Sequence, residues 1–245
     1  MEVKCCFVYI ICRYVISLCR TFKNQIVLSR IRTYSQGEEL ANALSHAAGI
    51  LLGGIAAYVL LSKAFLHGGG LWEVGSVLVY LFGMLSCYTV STLYHSRREG
   101  RRKQLLQRFD HALIYVHIAG TYTPFTLITL RMEGVWGWSL FAFIWLSALI
   151  GVWISFRKST KHSYVETVCY VVMGCSILIA FKPLIGALGR NGELASLYWL
   201  MGGGASYIIG AGFYSLVNIR YMHTVFHFFV LGGSLCHIIA IYLIL

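Results

Sequence analysis

Runs of about twenty apolar residues recur along this chain, and they constrain its fold more than any motif does. A helix needs roughly 20 such residues to cross the hydrocarbon core of a bilayer. Seven runs qualify, at about 41–62, 72–94, 111–130, 135–156, 164–181, 194–216 and 223–245. The fifth is the least regular, because Glu166 falls inside its start. Glycines and charges punctuate them, as in HGGG at 67–70, RMEG at 131–134 and GRNGE at 189–193. Only 12% of the residues are charged and 58% are hydrophobic, whereas a soluble domain carries about 25% charged residues. The expected fold is therefore all-α, a seven-transmembrane helix bundle over residues 37–245, with no second, soluble domain.

The first 36 residues differ. Their apolar run CCFVYIIC is cut by Arg13, and ISLC is followed by Arg20. A signal peptide needs a longer clean core and a small-residue cleavage site, and neither is present. A basic, partly apolar segment lying on the membrane surface fits better, and it is expected to be dispensable for the chemistry.

Lys and Arg set the expected orientation. Sixteen of the twenty fall in the N-terminal segment and in the connections around 95–110, 157–163 and 214–222; the other four are Lys63, Arg131, Lys182 and Arg190. Cytoplasmic loops carry the excess of positive charge, which places the N-terminus in the cytoplasm and the C-terminus outside. The net charge of +11 is thus a topology signal and not a nucleic-acid footprint, because the basic residues flank membrane spans. Of the eight cysteines, four crowd the N-terminal segment and four fall inside expected spans, so they read as small apolar residues rather than disulfide partners.

Ionisable groups inside spans are costly and usually face a cavity or one another. With this topology, four spans bring polar side chains to one layer near the cytoplasmic side. The second ends in STLYHS, with Ser91 and His95 one turn apart. The third begins with Asp110, the only aspartate in the chain. The seventh begins with YMHTVFHFFVL, with His223 and His227 on one face, and the first contributes Glu39, Asn42 and His46. Two histidines four apart could simply pack between helices, and Asp110 could simply cap one. Neither alternative explains three histidines at matching depth. Three imidazoles with an open position are what a catalytic zinc takes. His95, His223 and His227 are the expected metal ligands, Asp110 the general base, and Ser91 a group that orients a ligand or water. Glu39, Asn42 and His46 extend the polar network or line the cavity. His111 and His117 are expected to make interhelical hydrogen bonds, His237 to pack in the outer half of the membrane, and His67 and His162 to lie in loops. Gly49-x-x-x-Gly53 and the glycines at 202–204 suit close helix approach, and Pro124 should bend or open the third span.

EELANALSHAAG (38–49), STLYHS (91–96), FDHALIYVHIAGTYTPF (109–125) and HTVFHFFVLGGSLCH (223–237) occur in that order. Together they resemble the hemolysin III family of bacterial membrane proteins, which is similar to the progestin and adipoQ receptors and more distantly to alkaline ceramidases. The resemblance covers about residues 35–245. It implies a seven-helix protein of the plasma membrane with a cytoplasmic N-terminus. Its S-x-x-x-H and H-x-x-x-H motifs imply a zinc ion on His95, His223 and His227, accompanied by Ser91 and Asp110. Characterised relatives hydrolyse the amide bond of ceramide-type lipids, and hemolysin III is named for a haemolytic, pore-forming activity. Two functions are therefore expected: a zinc-dependent hydrolase of a lipid amide or ester, or a non-enzymatic pore former, receptor or membrane-homeostasis factor with a structural zinc. Membrane lipids are the expected partners in both.

Overall fold

The computed structural model describes residues 33–66, 68–157 and 164–245, and every regular element among them is helical. Residues 1–32 with Cys5, Cys6, Cys12 and Cys19, and also His67 and His162, lie outside the described residues. The helices are α1 (Gln36–Leu66), α2 (Leu71–His95), α3 (Arg101–Pro124), α4 (Trp136–Arg157), α5 (Tyr164–Cys175), α6 (Phe181–Arg190), α7 (Leu194–Tyr214) and α8 (Met222–Leu243). A 3₁₀ stretch, Ser176–Ala180, joins α5 to α6, so the described elements amount to seven rods.

Local chemistry accounts for the main starts and irregularities. Ser35 and Glu38 form a reciprocal capping box at α1: the Glu38 N–H donates to Ser35 Oγ at 3.3 Å, and the Ser35 N–H donates to the Glu38 carboxylate at 2.9 Å. The other oxygen of that carboxylate accepts the N–H of Tyr221 at 3.0 Å. Tyr221, at φ +62°, is the turn residue from which α8 begins, so one buried carboxylate ties the starts of α1 and α8. Pro124 has no N–H to donate, and the turn after it widens into a π-helical stretch, Phe125–Thr129.

Two boundaries differ from expectation. α3 starts at Arg101, about ten residues before the apolar run begins, because RRKQLLQR is built of strong helix formers. The fifth rod continues through α6 to Arg190, so Lys182 lies on a helix and not in a loop. Pro183 occupies the first turn of α6, where its missing N–H costs little. Five helical stretches are long and apolar enough to cross a membrane: Gln36–Leu66, Leu71–His95, Trp136–Arg157, Val165–Arg190 and Met222–Leu243. α3 is diluted by its basic first turns, and α7 by glycine, tyrosine and tryptophan.

Successive helices pack side by side, and α1 closes the bundle against α8. Leu51, Ile55, Phe82 and Leu149 point outward and are more than half exposed, while Asn42, Ser91, His227 and Ser234 are buried. This inside-out distribution is that of a helix bundle whose solvent is lipid. Where helices come closest, glycine makes room. A Cβ on Gly49 would lie 2.6 Å from the Tyr88 ring, and one on Gly203 would lie 2.4 Å from the imidazole of His237. At the end of the bundle away from His95, Arg131 lies over Trp72, Lys63 over Tyr242, and Arg190 pairs with Glu133.

Candidate metal centre

The last turn of α2 and the first two turns of α8 meet beside the start of α1. There His95, His223 and His227 present one ring nitrogen each within 4.8 Å of one another. His223 and His227 share a face of α8 because they are one turn apart, with ring centroids 4.5 Å apart. His95 Nε2 and His223 Nε2 lie 3.3 Å apart.

The surrounding hydrogen bonds fix which nitrogens face the centre. His95 Nδ1 lies 2.6 Å from the Glu39 carboxylate, which can only accept, so Nδ1 carries a proton, and in the neutral ring Nε2 keeps its lone pair. The Ser45 hydroxyl donates its one hydrogen to the carbonyl of Asn42 at 2.8 Å. His227 Nδ1 lies 2.9 Å from Ser45 Oγ and 3.3 Å from the same carbonyl, so it too must be the donor, and Nε2 again keeps its lone pair. The outer nitrogens of both rings are thus held by α1, the arrangement by which metal-binding imidazoles are oriented and made more basic.

This donor set fits a metal ion. Zinc bound tetrahedrally at about 2.0–2.1 Å to nitrogen separates its ligand atoms by about 3.3 Å, the spacing of the His95 and His223 nitrogens. With no cation, a proton must sit between those nitrogens, because two lone pairs cannot face each other at that distance.

Asn42 receives the Thr224 hydroxyl on Oδ1 at 2.6 Å. His46 lies flat on His227, with centroids 3.5 Å apart, and stands edge-on to Tyr88. Among the described residues neither nitrogen of His46 has a hydrogen-bond partner.

The position of Asp110 corrects one expectation. It is the tenth residue of α3 and far from the cap, which is Gly100, so the capping role does not apply. Asp110 and Ser91 both line a cavity of about 400 Å³ that also takes in His46, His223 and His227. Asp110 interacts electrostatically with Cys87 and Tyr94, which sit one turn before and after Ser91. Neither Asp110 nor Ser91 makes a side-chain hydrogen bond among the described residues. Among the described residues their polar atoms are therefore uncommitted, in a cavity that His223 and His227 also line. The cavity follows α3 from Gln107 to Phe125, about 27 Å at 1.5 Å per residue, and its wall is predominantly apolar.

The remaining described histidines are held elsewhere. His111 Nδ1 bonds Glu166 at 3.1 Å, and Ser155 donates to the other oxygen of that carboxylate at 2.7 Å, so the anomalous acid of the fifth run has partners on α3 and α4. His117 meets the Tyr207 hydroxyl at 3.3 Å, and His237 the carbonyl of Leu200 at 3.3 Å. Three residues at the centre escaped the sequence reading. Ser45 precedes a histidine without any periodic signal, Lys103 sits in a basic run, and Tyr34, whose ring centroid is 5.2 Å from that of His223, lies outside every apolar run.

Fold and site together define a multi-pass integral membrane protein with a buried histidine triad able to hold a metal ion. The chain belongs to the haemolysin-III related family, whose model matches residues 34–238. It is 39% identical over 197 residues to Hemolysin-3 of Bacillus cereus, covering 80% of this chain and 87% of that protein. It is 40% identical over 197 residues to the Hemolysin-3 homolog of Bacillus subtilis (strain 168), covering 80% and 89%. The human monocyte to macrophage differentiation factor is 28% identical over 213 residues, 84% of this chain and 83% of that one. The bacterial relatives and the five apolar helices agree with residence in the plasma membrane.

Proposed function

We propose that this protein is a zinc-dependent hydrolase that cleaves a ceramide-like amide, or an ester, of a membrane lipid while the lipid stays in the bilayer. The observation that carries the reading is the cavity: one predominantly apolar slot, long enough for a fatty acyl chain, is lined by His223 and His227 of the triad together with Asp110 and Ser91. In this reading the seven rods all cross the membrane, the His95 end faces the cytoplasm, and the C-terminus lies outside.

His95, His223 and His227 hold the ion and Glu39, Ser45 and the Asn42 carbonyl aim the first and last of them. Zinc in such a site supplies Lewis acidity, polarising the carbonyl and making water a nucleophile near neutral pH. Asp110 takes a proton from the attacking water and delivers it to the leaving nitrogen or oxygen as the bond to the acyl carbon breaks. The products are a fatty acid and the freed amine or alcohol. Ser91 donates a hydrogen bond to the carbonyl or the water, and the apolar wall excludes bulk solvent. Metal analysis of purified protein, combined with mass spectrometry of fatty acid released from ceramides, acyl-amides and phospholipids, tests this. Turnover of none of the three classes by zinc-loaded protein overturns the hydrolase.

A second reading is lysis without chemistry, with the metal as a clasp. The three donors bridge α2 and α8, both of which α1 packs against, and that favours it. Two relatives also carry the name hemolysin. Asp110 weighs against it, because a clasp has no use for an uncommitted carboxylate in the cavity that His223 and His227 line.

A further inference from the structure

The connection between α2 and α3 and the first turns of α3 carry a dense basic run, yet one of its cations turns inward. Arg97, Arg98, Arg101, Arg102 and Arg108 are exposed, while Lys103 is buried, with its side chain 7% exposed. A buried ammonium is costly unless it is paired. Lys103 Nζ lies 2.5 Å from Glu39 Oε1, and Glu39 Oε2 lies 2.6 Å from His95 Nδ1. One carboxylate is therefore held at both oxygens, by the ammonium on one side and the metal-facing imidazole on the other. The Lys103 ammonium also lies over the ring of Tyr94, the residue before His95, 5.3 Å from its centroid. Glu99, at 3.7 Å, is a solvent-exposed second neighbour.

We infer that Lys103 is a positioning residue for the metal centre: by anchoring Glu39 it locks His95 in the Nδ1–H tautomer and keeps Nε2 aimed at the triad. The inference rests on the reading of the triad as a metal site, and it assigns a basic residue a task beyond topology. Without the ammonium the carboxylate can rotate away from Nδ1, the imidazole can exchange tautomers, and the site loses a ligand that is ready in advance. Partners of this kind change metal affinity about 10- to 100-fold. A lysine that merely clamped α3 to α1 would alter stability and leave the tautomer alone.

The test uses the full-length protein in detergent. Nitrogen-15 spectra of its histidines read the tautomer of His95 in the metal-free state, and chelator competition reads the Kd for zinc. Wild type should show His95 as Nδ1–H. Lys103→Met, which keeps the stem, should show a mixture of tautomers and about tenfold weaker zinc binding; Lys103→Arg should restore both. Glu99→Gln, removing only an exposed neighbour, should stay within about twofold of wild type. Should Lys103→Met not fold, Glu39→Gln reads the same relay from its middle member, with the same two signatures expected. A wild-type tautomer in Lys103→Met, or an unchanged zinc Kd, overturns the inference even if the melting temperature falls. A wild type that fixes the tautomer but binds no zinc defeats the metal reading instead.

Discussion

The imidazole of His46 lies flat on that of His227, ring centroids 3.5 Å apart and planes 16° from parallel. That geometry makes His46 a wall for a metal ligand and gives it no aim at the triad. His46→Phe should therefore keep the stack and retain zinc within a few-fold of wild type. Chelator competition measures this, and complete loss of zinc would make His46 a fourth ligand.

Single replacements of His95, His223 or His227 by Ala should each abolish stoichiometric zinc, with some loss of stability because a polar site in the membrane is left unfilled. His237→Ala should keep its zinc, since His237 bonds the carbonyl of Leu200 on the far side of the cavity. Metal content per chain by elemental analysis decides it. Equal zinc in wild type and His223→Ala removes the assignment.

Asp110→Asn separates the enzyme from the clasp. Asp110 neither caps a helix nor accepts a hydrogen bond among the described residues, and Asn and Asp have similar helix propensity. The variant should fold, keep zinc, and lose about 10²- to 10⁴-fold of the fatty-acid release. Release at the wild-type rate would show that Asp110 is no general base.

Two neighbouring glycines should answer differently to a side chain. Gly203→Ala drives a methyl group into the His237 ring and should destabilise the bundle by about 1–3 kcal/mol, read from denaturation in detergent. Gly204 lines the cavity, and a Cβ there meets nothing within 4 Å. Gly204→Leu should fold, keep zinc, and raise KM for long-chain substrates more than for short ones. An unchanged chain-length profile places the acyl chain elsewhere.

Orientation has its own test. Arg98 and Asn191 are exposed at opposite ends of the bundle. Among engineered cysteines, Asn191→Cys should react with an impermeant reagent in intact cells, and Arg98→Cys only after permeabilisation. The opposite pattern inverts the topology.

Much of this cluster is legible in the sequence because its three histidines follow simple geometry. His223 and His227 are one turn apart, and the alternation of spans brings His95 to their depth. What stays hidden depends on where helices begin and how they turn. Hydropathy starts the third helix at the apolar run, which makes Asp110 look like a cap; the charged helix formers before it carry the helix about ten residues further back. The same basic run conceals Lys103, because composition counts its charge and cannot see that it faces Glu39. Ser45 becomes meaningful only when α8 lies against α1. The end of the fifth rod follows no apolar boundary, since hydropathy ends the run near 181 while the helix goes on to Arg190.

His95 and His223 are 128 residues apart in sequence, yet their nitrogens meet. A membrane protein is delivered to the bilayer in order, so α2 waits for α8, the last helix, before the triad can exist. Under the proposed metal reading, uptake of the ion reports that α2 and α8 have both arrived: a chain stalled or cut before Tyr221 lacks two of the three donors and the carboxylate tie from Glu38. In that reading, loading of the centre becomes the closing event of assembly.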